Sequence, residues 1–79
     1  MTLSEFQSIC AESNMRTGSD TTSYSLEHGQ YFLTAHWIPN ETASVFLRRP
    51  GGGNMLIDRL LSTQEQLTTA LLDAVEEMK

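Results

Sequence analysis

The chain has 79 residues, enough for one small domain, and ten acidic side chains against five Lys and Arg give it a net charge of −5. That balance opposes direct binding to nucleic acid, because affinity for a phosphate backbone comes largely from cationic side chains that displace its counterions. The single cysteine excludes an intramolecular disulfide framework, and no apolar run approaches the roughly 20 residues of a membrane-spanning helix, so we expect a cytoplasmic protein without membrane contact.

The N-terminal segment predicts an amphipathic helix over residues 3–13. Thr2 and Glu5 have the spacing of a capping box, in which each side chain bonds the other residue's backbone N–H. Residues 14–22 are rich in Ser, Thr, Asn and Gly, which favours a loop. The apolar face of the helix is formed by residues spaced three and four apart, which are Leu3, Phe6, Ile9 and Cys10.

Strand patterns fill the middle of the chain. His28-Gly29 is typical of a tight hairpin connection, and Pro39-Asn40-Glu41 is predicted to end the second strand. Whether the last segment forms a strand is left undecided, because its end could instead run towards the final helix. The predicted strands cover residues about 23–27, 30–38, 43–49 and, as the open case, 55–60.

The segment RRPGGGN, residues 48–54, resembles a phosphate-binding loop only in its glycines. It lacks the Gly-Lys-Ser/Thr end of a P-loop and the spacing of a dinucleotide fingerprint. We therefore interpret it as a connection between two strands. Arg48 and Arg49 supply two of the five basic residues, so a lesser hypothesis is that they bind a carboxylate or phosphate on a partner.

A second helix is predicted over residues 63–78. Ser62 and Glu65 have capping-box spacing, and the apolar positions that follow are Leu67, Ala70, Leu71, Ala74, Val75 and Met78. Helices at both ends of an antiparallel sheet predict the α+β class. The expected architecture is a two-layer α/β sandwich of order αβββ(β)α, with both helices packed on one sheet face.

The second predicted strand is apolar on both faces. Tyr31, Leu33, Ala35 and Trp37 alternate with Phe32, Thr34, His36 and Ile38. Only one face of a two-layer sheet meets the helices, so the other either forms a dimer or partner interface or is covered by a loop such as residues 13–23 or by a helix. The sequence leaves these possibilities open.

No catalytic constellation is recognisable in the sequence. Cys10 lies on the apolar stripe of the first helix, where a buried thiol is the ordinary occupant. His28 and His36 have no carboxylate cluster at a catalytic or metal-binding spacing. We therefore expect no catalytic residue, no metal and no cofactor, and we interpret His36 as a hydrogen-bonded surface or interface histidine.

These features favour a non-enzymatic protein-binding module: a small acidic adaptor, inhibitor or regulator. Its partner is expected to be a protein, with a basic surface as one option because the chain is acidic. Inhibitors of bacterial machinery encoded by phages and mobile elements, including anti-defence proteins, are a class-level analogy and would act in the host cytoplasm. The candidate partner-binding residues are Phe32, His36, Ile38, Phe46, Arg48 and Arg49.

Two alternatives belong to other classes. One is a homo-oligomeric structural or chaperone-like protein, in which the spare sheet face closes a homodimer. The other, less favoured, is a small-molecule binder or small enzyme that uses His28, His36 and the glycine segment.

Overall fold

The fold consists of an antiparallel sheet with a helix at each end of the chain. The computed structural model describes residues 1–39 and 42–79, and for residues 54–59 it describes the backbone. The strands form one sheet in the order β1-β2-β3-β4-β5, with both helices on one face, which confirms the predicted α+β class. The elements are α1 (Leu3–Glu12), β1 (Arg16–Thr17), β2 (Ser23–His28), β3 (Tyr31–Ile38), β4 (Thr42–Arg48), β5 (Asn54–Leu61) and α2 (Gln64–Met78).

The core lies between the helices and the face of β3 that carries Leu33 and Ala35. Both of these side chains are fully buried, and Tyr31 and Trp37 on the same face pack against the core. The Phe6 ring of α1 lies 5.6 Å from each of the Tyr24 and Trp37 rings. The structure therefore identifies the covered face, which the alternation in β3 could not distinguish. The other buried members, besides Phe6 and Tyr24, are Ile9, Cys10, Met15, Ala43, Val45, Leu47, Leu61, Leu67, Ala70, Leu71, Ala74 and Met78.

Helix α1 ends through a backbone motif that the sequence analysis did not predict. Asn14 has a φ of 64°, in the left-handed region that asparagine tolerates better than most residues. The N–H of Asn14 donates to the Ala11 carbonyl and the N–H of Met15 donates to the Cys10 carbonyl, which is the Schellman pattern. This turn directs the chain back along the sheet. Part of the predicted loop 14–22 is consequently strand β1, which pairs with β2.

The caps of the two helices match the sequence prediction to different degrees. The box of Thr2 and Glu5 is confirmed, with both reciprocal hydrogen bonds present. The box of Ser62 and Glu65 is wrong by one residue: Thr63 is the cap, and Gln66 completes the box. Since Ser62 and Thr63 can both cap a helix, local sequence did not distinguish them.

The strand connections follow backbone geometry. Strand β2 extends to His28, so the hairpin loop is Gly29 and Gln30, and Gly29 has a φ of 63°. The predicted turn at Asn40 and Glu41 lies outside the described residues. The strand that the sequence left open at 55–60 is present as β5, whose pairing with β4 contains two register irregularities.

Candidate functional site

The sheet face opposite the helices is the candidate functional site, and we call it the open sheet face. Residues that alternate with the buried ones share this face, and the register places them in rows across β2, β3 and β4. Two residues of the predicted loop, Arg16 and Thr17, extend the sheet as β1. The open sheet face comprises Ser23, Ser25, Glu27, Phe32, Thr34, His36, Ile38, Thr42, Ser44, Phe46 and Arg48.

Large apolar side chains on this face are only partly shielded. Phe32, Ile38 and Phe46 are half-buried, although both helices lie on the opposite face. The Arg48 guanidinium carbon lies 5.1 Å from the centre of the Phe32 ring, within cation–π range. Arg48 thus holds a positive charge over an aromatic surface, a pairing of residue types that is common in protein interfaces.

Two hydroxyl groups of the open sheet face are hydrogen-bonded to the neighbouring strand. The Ser23 Oγ lies 2.9 Å from the Nδ1 of His36, so these exposed groups are hydrogen-bonded within the face. The Thr34 Oγ1 donates to the Phe46 carbonyl at 3.4 Å. Five of the six residues predicted for partner binding are thus brought together on this face: Phe32, His36, Ile38, Phe46 and Arg48.

Arg49 lies apart from this group because successive extended residues point to opposite faces. Its guanidinium donates to Glu77 of α2 through Nε at 2.6 Å and through a second nitrogen at 2.7 Å. These hydrogen bonds hold the pKa of Glu77 below its usual value and raise the pKa of Arg49. Arg49 therefore joins the end of the sheet to α2, whereas Arg48 belongs to the open sheet face.

The glycine segment is a tight turn between β4 and β5. Residues Pro50–Gly52 form a tight turn in which Gly51 departs from helical geometry, and the Arg49 N–H donates to the Gly53 carbonyl at 2.7 Å. Gly51 and Gly52 both have a φ of 85°, a conformation that side chains with a Cβ rarely adopt. The backbone geometry of the turn thus accounts for two of the three glycines.

The reactive side chains that the structure describes do not form a cluster. Cys10 is fully buried, and desolvation raises its pKa to about 12, so its thiol stays protonated at neutral pH. Among the side chains of residues 1–39, 42–53 and 60–79, no group of three or more His, Cys, Asp or Glu residues could hold a metal ion. The buried core described above contains no polar or charged side chain among the described residues.

A groove of about 450 Å³ lies where β5 ends and α2 begins. Its described lining includes the carboxylates of Glu65 and Asp73 together with Leu60, which is 66% exposed. Among those lining residues the groove has no histidine, cysteine or aromatic side chain. The open sheet face remains the better candidate.

Sequence reasoning missed part of this site. Glu27 and Ser25 of β2 join the face because their register partners are Phe32 and Thr34. The alternation Ser-Tyr-Ser-Leu-Glu in β2 carried that signal, but the register was needed to place the two residues beside the aromatic side chains.

No protein-family model, curated protein or solved structure matches the chain. Neither described helix is long and apolar enough to cross a membrane.

Proposed function

We propose that this chain is a non-enzymatic protein-binding module that docks through its open sheet face. The observation that carries the proposal is the position of Phe32 and Phe46, two aromatic side chains left half-buried on the face that the helices do not cover. A contiguous apolar surface of this kind on a small domain is typical of an interaction site. In this role the chain acts as an adaptor, inhibitor or regulator in the cytoplasm.

The shape and chemistry of the face support a macromolecular partner. Small-molecule sites are concave and enclose most of the ligand, whereas a sheet presents a broad surface. The face combines aromatic anchors with hydroxyl groups and the charged ends of Arg48 and Glu27. Aromatic and arginine side chains contribute most to many protein interfaces, and surrounding polar groups set orientation.

The distribution of charge refines the expectation of a basic partner. Six of the ten acidic residues lie on the helices, away from the open sheet face: Glu5, Glu12, Glu65, Asp73, Glu76 and Glu77. Arg16 pairs with Ser25 in the register, which places it at the edge of the open sheet face, on the strand beside that of Glu27. The docking face therefore has mixed charge, and only the helical surface has the strongly acidic character that favours a basic partner.

Photo-crosslinking inside the cells that naturally produce this protein tests this proposal. The photoreactive amino acid p-benzoylphenylalanine replaces Phe46 in one variant and Leu72 in a matched control. Leu72 is 61% exposed and lies on α2, so it samples the opposite side of the molecule. Both variants are irradiated, and any adducts are identified by mass spectrometry.

We expect a discrete protein adduct from position 46 and none, or a diffuse set, from position 72. The absence of an adduct at position 46, or the same adducts at both positions, would overturn the open sheet face as the docking site.

A further inference from the structure

One row of the open sheet face has opposite charges at its two ends. Glu27 of β2 is the register partner of Phe32 of β3, and Phe32 is the register partner of Arg48 of β4. Across three neighbouring strands, the row therefore consists of a negative, an aromatic and a positive side chain. The cation–π contact of Arg48 with Phe32 shows that both side chains are on the same face.

A row of this kind is complementary to itself. A two-fold rotation about an axis parallel to β3, in the plane where two sheets meet, exchanges positions on β2 with positions on β4 and returns β3 to itself. We propose that the open sheet face binds a second copy of this chain about such an axis, so that Glu27 of each copy faces Arg48 of the other. Phe32 then meets Phe32 of the second copy between the two charge pairs.

The neighbouring rows of the open sheet face are also compatible with this two-fold rotation. In the next row Ser25, Thr34 and Phe46 are register partners, so the large ring of Phe46 meets the small Ser25 of the other copy. In the third row Ser23 faces Ser44, and both are small. The second row therefore combines a large with a small side chain, as a closely packed interface requires.

A two-fold axis across the strands would not produce these pairs. It exchanges the two ends of each strand, so that an axis placing Glu27 near Ser23 of the other copy places Arg48 near Ser44. Neither charge then meets an opposite one. The charge pattern thus selects the axis parallel to β3.

The charge of the whole molecule is compatible with self-association through this face. Because the acidic residues of the helices lie on the far side of each sheet, they are on the outer surfaces of the pair, where salt screens their repulsion. A standard interface buries about 800 Å² per partner, which is about one sixth of the 4863 Å² surface of this chain.

This inference rests on the proposed function, because it names the protein that occupies the docking face. The test is sedimentation equilibrium over a dilution series from micromolar to millimolar concentration, on the wild type and on the variants Glu27→Arg and Arg48→Glu. Each variant alone places like charges opposite each other twice, and we expect at least about tenfold weaker self-association, since like-charge pairs at an interface are costly. An equimolar mixture restores two opposite pairs and is expected to form the mixed dimer.

Two control variants match the changes in net charge on the helical side of the molecule. Glu12→Arg alters the charge as Glu27→Arg does, and Lys79→Glu alters it as Arg48→Glu does; both positions are exposed. Neither control is expected to change self-association. Circular dichroism confirms that every variant is folded.

A wild-type chain that remains monomeric throughout the series overturns the inference. So does a dimer that the single variants leave intact, or a mixture of variants that does not reassociate. The proposed function is judged separately: an adduct of residue 46 with a different protein would support it even if the chain is monomeric.

Discussion

Arg48 and Arg49 show at the residue scale how backbone direction separates identical side chains. The two are adjacent, so the extended backbone points them to opposite faces of the sheet. Arg48 lies over the Phe32 ring, and Arg49 forms a two-point hydrogen-bonded ion pair with Glu77. One arginine is thus available to a partner on the open sheet face, while the other secures α2.

The ion pair predicts a pH dependence for the stability of the fold. Arg49 lowers the pKa of Glu77 in the folded state relative to the unfolded state. The stabilisation is therefore fully present above the unfolded-state pKa and is lost as pH falls through the folded-state pKa. We expect Glu77→Gln to lower the melting temperature near neutral pH by a few degrees at most, because exposed pairs contribute little, and the difference from wild type to vanish in acid.

Thermal melts from about pH 7 to about pH 2 measure this difference. The control is Glu76→Gln, which removes the same charge from the neighbouring position but leaves the partner of Arg49 in place. A difference between wild type and Glu77→Gln that stays constant with pH would contradict the role of the pair.

At the scale of elements, the position at which a helix begins is set largely by its capping residues. Thr63 caps α2 by accepting a hydrogen bond from the Gln66 N–H at 3.1 Å, and the Gln66 side chain accepts one from the Thr63 N–H at 3.2 Å. Gln64 also donates to Glu5 at 2.5 Å, so the starts of the two helices are linked. The capping residues therefore set both where α2 begins and how it meets α1.

We expect Thr63→Ala to destabilise the protein by about 1 kcal/mol, because it leaves a backbone N–H at the start of α2 without its acceptor. Urea denaturation measures the free energy of unfolding. Thr68→Ala is the matched control, since Thr68 is exposed on the same helix and alanine has the higher helix propensity. Equal losses in the two variants would refute Thr63 as the cap.

The whole molecule has a single core and a second sheet face outside it. A chain of this size is stabilised by on the order of 4–12 kcal/mol, so each fully buried side chain contributes an appreciable fraction. The described core is entirely apolar and lies between the helices and one face of the sheet. The stability of the fold therefore depends mainly on the side chains of the face that packs against the helices. Substitutions on the other face are expected to affect binding more than stability.

The location of the core on one side of the sheet predicts that substitutions of two leucines of α2 change the free energy of unfolding by different amounts. Leu67 is fully buried and Leu72 is 61% exposed. We expect Leu67→Ala to cost about 2–5 kcal/mol through lost apolar contact and the cavity it leaves. Leu72→Ala should change the free energy of unfolding by less than about 0.5 kcal/mol, as surface substitutions usually do. Chemical denaturation compares them, and similar losses would contradict the described packing.

Local patterns determined much of the fold from sequence alone. The spacing of apolar residues predicted both helices, the box of Thr2 and Glu5 predicted the start of α1, and alternation predicted β2, β3 and β4. These signals are reliable because they arise from the period of the backbone and from hydrogen bonds a few residues apart. The β3 residues of the candidate site, Phe32, His36 and Ile38, were likewise apparent from the two-sided apolar pattern of that strand.

Only the tertiary structure decided which face of β3 the helices cover, that Asn14 turns the chain into β1, and that Arg49 binds Glu77. Each of these depends on residues far apart in sequence or on a backbone conformation that several sequences can adopt. The same is true of the row from Glu27 through Phe32 to Arg48, since strand register brings together side chains that no local pattern connects.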